Sequence, residues 1–140
     1  MSAFEDEYLS ALMSLESAIM QAYNEHPDLS DFDVERALEA TITHYVAQIR
    51  NTKPRPIRLN PKAAKLAERL QLVGELLLGE APLTTEGGEE LNLGETLDTQ
   101  ELVACLKRIR KSVRFWTKQG GRQGYLNYVA DFLLPSRGSA

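Results

Sequence analysis

Apolar residues recur along this chain at the three- and four-residue spacing of a helix with one buried face. The first such run predicts a helix from about Ala3 to Asn24, ended by His26-Pro27. Phe4, Tyr8, Ala11, Leu12, Leu15, Ile19, Ala22 and Tyr23 fall on one side of it. Leu9, Met13 and Met20 lie beside that face and widen the apolar arc to about 200°, beyond a single core stripe. A helix so patterned is either central in a bundle or faced by a second chain.

A second helix is expected to open at Ser30, where Ser30-Asp31-Phe32-Asp33 sets a capping hydroxyl three residues before an acid. Val34, Ala37, Leu38, Thr41, Tyr45 and Ile49 form its face. The segment 51–60 carries Pro54 and Pro56 and reads as an extended linker. Asn60 and Pro61 then start a third helix, with Ala63, Leu66, Ala67, Leu70, Val73, Gly74 and Leu77 inward and Gly79 as its stop. Leu72 and Leu76 make a second apolar stripe on its far side.

Residues 80–98 hold six acids, no basic residue and Pro82, Gly87, Gly88 and Gly94. They read as a long acidic loop, with a short β-hairpin around Glu86-Gly87-Gly88 as the other reading. A fourth helix starts at Asp98 or Thr99 and runs to Gly120-Gly121, with Leu102, Cys105, Leu106, Ile109, Val113 and Trp116 inward. A fifth, from about Gln123 to Leu133, presents Tyr125, Leu126, Val129, Phe132 and Leu133 and stops before Pro135. The fold class is therefore all-α, a bundle of about five helices in one domain over 1–134, with 135–140 a flexible tail. At 140 residues such a domain has a core without needing metal or disulfides.

The single cysteine, Cys105, excludes a disulfide framework within one chain. The start MSAFEDEYLS has neither the basic residues nor the apolar run of a signal peptide, and no stretch is apolar enough to span a membrane. The chain is read as cytoplasmic. A net charge of −4 conceals a gradient: residues 1–50 sum to −8 and residues 101–140 to +6. Acidic front and basic back imply either contact between the two or separate partners.

The basic end supplies the best candidate surface. Lys107, Lys111, Arg114 and Lys118 lie opposite the core stripe of the fourth helix, Arg108 and Arg110 flank it, and no acid occurs from 102 to 130. Like charges spaced i, i+4 repel, and an anionic partner relieves the repulsion. Such a face is as often simply solvated as bound; the binding readings are an acidic protein surface and, less favoured, a nucleic-acid backbone. Arg122, in Gly120-Gly121-Arg122-Gln123-Gly124, adds an anion-site element to what is more simply a turn between helices. Phe115 is the one aromatic of this region expected at the surface.

His26 and His44 have no ligand-like spacing, no cofactor motif is present, and Cys105 points into the core stripe. The acids of the first helix and the 80–98 loop read as solvated. The expected function is thus a non-enzymatic interaction or regulatory domain, self-associating as a dimer through Leu9, Met13, Met20, Leu72 and Leu76. The acids Glu86, Glu89, Glu90 and Glu95 are a tethered candidate to mask Lys107, Lys111 and Arg114. An enzyme with a site dispersed in sequence remains the third reading.

Overall fold

The computed structural model describes residues 8–79, 83–84, 90–91 and 97–133, with side chains described for 8–79 and 97–131. The described helices are α1 (Leu9–Glu25), α2 (Asp31–Arg50), α3 (Pro61–Leu77) and α4 (Thr99–Leu133). Two two-residue strands, β1 (Leu83–Thr84) and β2 (Glu90–Leu91), pair antiparallel, with Leu83 opposite Leu91. The rest of the acidic segment, the expected hairpin turn and the tail lie outside the described residues.

Helices α2, α3 and α4 begin where side chains satisfy free backbone N–H groups, whereas α1 has no side-chain cap. Ser30 accepts from the Asp33 amide while the Asp33 carboxylate accepts from the Ser30 amide, a complete capping box despite the shorter Asp. Asn60 accepts from the Ala63 amide at 2.9 Å, ahead of Pro61. Asp98 and Glu101 repeat the reciprocal arrangement at the start of α4. Asn51, in the left-handed region at φ 54°, ends α2.

Contacts between helix ends fix the directions. Asn60 Nδ2 donates to Asp33 Oδ1 at 2.6 Å, joining the starts of α2 and α3. The Tyr45 hydroxyl donates to the Gln71 carbonyl, joining their later turns. These two helices therefore run parallel, which requires the connection to return the full length of α2. Twenty helical residues span about 30 Å, and the ten of the linker reach about 33 Å when extended. Pro54 and Pro56 keep it extended, and Arg36 and Arg55 tie it to α2 through the Arg58 carbonyl and Glu39.

α1 runs with the first part of α4: Tyr8 donates to Glu101 at one end, and Arg122 sits over the Tyr23 ring at the other. α1 also packs on α3, so its wide apolar arc is divided among neighbours in the same chain. One contiguous core links all four helices, with Leu15, Ile19, Val34, Leu38, Leu70, Leu106 and Ile109 inaccessible.

Among the described residues four helices are assigned, the expected fourth and fifth being joined as α4. The helix assigned from Thr99 to Leu133 leaves helical geometry at Gly120 and Gly121, and Gly121 has φ +63°, where a side chain is strained. Beyond this break the chain doubles back. Tyr128 stacks on Trp116 with ring centroids 5.2 Å apart, whereas 12 residues of straight helix would separate them by about 18 Å. The expected fifth helix is the second limb of α4, and it closes over α1 through Tyr125 and Tyr23.

Candidate partner-binding site

A cleft of about 570 Å³ lies along the outer face of the first limb of α4. Lys107, Arg108, Arg110 and Lys111 line it, and no acid is among its described lining residues. Lys107, Lys111 and Lys118 are exposed and form no ion pair among the described residues. Arg110 is half-buried, and its Nε is shielded from water with no hydrogen-bond partner among them.

The other two arginines of the basic set face different tasks. Arg114 is exposed but donates from Nε to the Glu35 carboxylate of α2. Arg122 is turned inward: it donates to the Leu29 carbonyl, and its guanidinium lies 4.9 Å from the Tyr23 ring centroid. Four cations therefore gather at the cleft, Lys118 stands one turn past it, and Arg114 and Arg122 act as braces. The acid on Arg114 comes from α2. Glu86, Glu89 and Glu95 lie outside the described residues, as does the side chain of Glu90.

Aromatic rings form one wall. Phe115 is 54% exposed, and its ring meets Trp116 edge to face at 5.0 Å. Trp116, expected in the core stripe, packs against the core while half-buried, and it also lines the cleft. Tyr128 stacks on its ring. Trp116 also borders a second cleft of about 560 Å³ with Gln119, Gln123 and Asn127, so the two adjoin at the tryptophan. The described lining of the first cleft falls within the first limb of α4, whereas the second cleft draws on both limbs across the break.

The apolar residues assigned to self-association differ in exposure. Leu9 and Leu72 are exposed, at 39% and 56%. Met13, Met20 and Leu76 are half-buried, and Met20 packs against the core.

One acid of the first helix departs from the solvated reading. Glu16 is 1% exposed and its Oε2 lacks a hydrogen-bond partner among the described residues. Burial pushes its carboxyl up to about 8. Tyr125, wholly buried with its hydroxyl likewise unpartnered, is shifted upward by its own burial and by the nearby Glu16. Burial, followed by the charge of Glu101, pushes the Cys105 thiol up to about 12, the environment of a packing residue rather than a nucleophile. A third cleft, about 290 Å³ between α1 and α3, contains Lys62, Lys65 and Arg69. Lys62 and Arg69 are already paired there, with Asp28 and Glu25. Among the described residues no group of three or more His, Cys, Asp or Glu side chains is placed to hold a metal ion.

Comparison with protein-family models, with curated proteins and with solved structures gives no match. No described helix is long and apolar enough to cross a membrane.

Proposed function

We propose that this chain is a non-enzymatic interaction domain that docks an acidic protein surface on the outer face of α4. The observation that carries the reading is the cleft bounded by Lys107, Arg108, Arg110 and Lys111, with no acid in its described lining. Desolvating these cations against carboxylates relieves their mutual repulsion and gives steered association. Cytoplasmic location and self-association belong to the same reading, the latter through the exposed Leu9 and Leu72.

The test is titration of the chain with an acidic polypeptide such as polyglutamate, alongside the Lys107→Glu/Lys111→Glu variant. Binding that weakens with salt and is lost in the variant supports the reading. Equal binding by the variant would place the site elsewhere. A second reading, single-stranded nucleic acid, is favoured by one observation: the exposed Phe115 ring beside the lysines. A matched oligonucleotide titration separates the two.

A further inference from the structure

We infer that the α4 cleft takes an acidic peptide segment bearing one bulky apolar side chain, which seats against Phe115 and the edge of Trp116 while neighbouring carboxylates meet Lys107, Arg110 and Lys111. This rests on the proposed docking role of α4 and narrows its partner. Charge alone would be served by any polyanion, but the cleft is not uniformly charged. Its cations occupy one stretch of the helix, and its far end is walled by Phe115 and Trp116. Beyond Trp116 the adjoining cleft presents the neutral amides Gln119, Gln123 and Asn127, followed by Asp131. A phosphate backbone continuing in that direction meets no cation among these residues and ends at a carboxylate. A peptide need carry no charge there, because side-chain amides pair with its N–H and C=O groups.

The rings discriminate as well. Base stacking needs an open aromatic face. Tyr128 lies against Trp116 at 5.2 Å with the planes 15° apart, and Phe115 meets it at 5.0 Å and 88°. The T-shaped Phe115–Trp116 pair leaves a corner beside the exposed Phe115 ring in which a branched or aromatic side chain can pack. Burying one such apolar anchor strengthens binding by about tenfold or more.

Trp116 is the chain's only tryptophan, so its emission reports this cleft directly. The full chain is titrated with a synthetic peptide of Glu and Asp flanking one Phe, and with the same peptide carrying Ser in place of Phe. The Phe peptide is expected to bind at least about tenfold tighter and to shift the Trp116 emission to the blue as water leaves the ring. Phe115→Ala, at an exposed position, is expected to erase the preference for the Phe peptide while retaining salt-sensitive binding of both. Equal affinity for the two peptides, or saturation without a change in emission, would overturn the inference. Loss of that equal binding in Lys107→Glu/Lys111→Glu would then still leave the α4 docking role standing. Absence of binding by either peptide and by polyglutamate would remove both.

Discussion

At the scale of single residues, the least predictable feature is Glu16. Helical periodicity places it between core positions Leu15 and Ile19, and an acid there is normally read as reaching solvent. It is buried instead because the second limb of α4 covers that side of α1, which only the reversal at Gly120-Gly121 reveals. The consequence is a definite pH dependence. Its carboxyl ionises near pH 4.5 in the unfolded chain and near 8 in the fold, so between these values the fold binds the extra proton and stability falls as pH rises. Glu16→Gln removes this. Its stability advantage over the native chain is expected to be small near pH 5 and to widen by up to about 1.4 kcal/mol per pH unit towards 8. Denaturant melts at several pH values check it; a constant difference would show that Glu16 stays solvated. Asp33 has the opposite sign. Burial alone would raise its carboxyl, but hydrogen bonds from Ser30 and Asn60 outweigh this and hold it below the usual range. Its contribution is present at neutral pH and is lost as pH falls through the acid range. Cys105, buried and pushed to about 12, is expected to resist alkylation at pH 8 until the chain is unfolded, measured as thiol labelling with and without denaturant.

At the scale of elements, the starts and stops were the legible part. Ser30, Asn60-Pro61 and Asp98 state their roles through chemistry local to a few residues, and the capping side chains satisfy the expected amides. Ser30→Ala is expected to lower stability by about 1 kcal/mol, read from a thermal or denaturant midpoint. The direction of each helix was not legible, because it is set by distant pairs such as Asn60 with Asp33 and by the reach of the linker. The glycines between 120 and 124 marked a break correctly but did not tell a turn from a full reversal. Gly124 shows why the reversal tolerates no larger residue: a Cβ there would stand 2.5 Å from the Trp116 carbonyl oxygen. Gly124→Ala is expected to destabilise the fold by about 1–3 kcal/mol. Because the clash falls at the junction of the limbs, it should also weaken the Trp116–Tyr128 stack. Near-ultraviolet circular dichroism reads that directly, and an unchanged aromatic signal would mean that the limbs adjust elsewhere.

At the scale of the whole molecule, the charge gradient along the sequence is bridged where two helices meet. The acidic first third and the basic last third meet through Glu35 and Arg114, the one ion pair between them among the described residues. Other acids of the first third turn to α3 instead, Asp28 to Lys62 and Glu25 to Arg69. Lys107, Lys111 and Lys118 of α4 are exposed and form no ion pair among the described residues, on a chain whose net charge is −4. Leu9 and Leu72 lie on different helices, which weakens the apolar argument for a dimer. Complementary charged faces provide another route to one, and an association driven by them weakens with salt, whereas one driven by apolar contact persists. Sedimentation across a concentration series at low and high salt distinguishes these outcomes from a monomer of 15.7 kDa. Glu35 offers a more direct probe of the α4 face. It holds Arg114 at the margin of the cations that line the cleft, and its partner is about half exposed, so the pair adds little to stability, about 0–1 kcal/mol. Glu35→Gln should therefore leave the melting temperature nearly unchanged while removing one negative charge beside the site and freeing Arg114 towards it. Affinity for polyglutamate is expected to rise severalfold, with a steeper loss of binding as salt increases. Unchanged affinity in this variant would mean that Arg114 stays a brace and that the docking face ends before it.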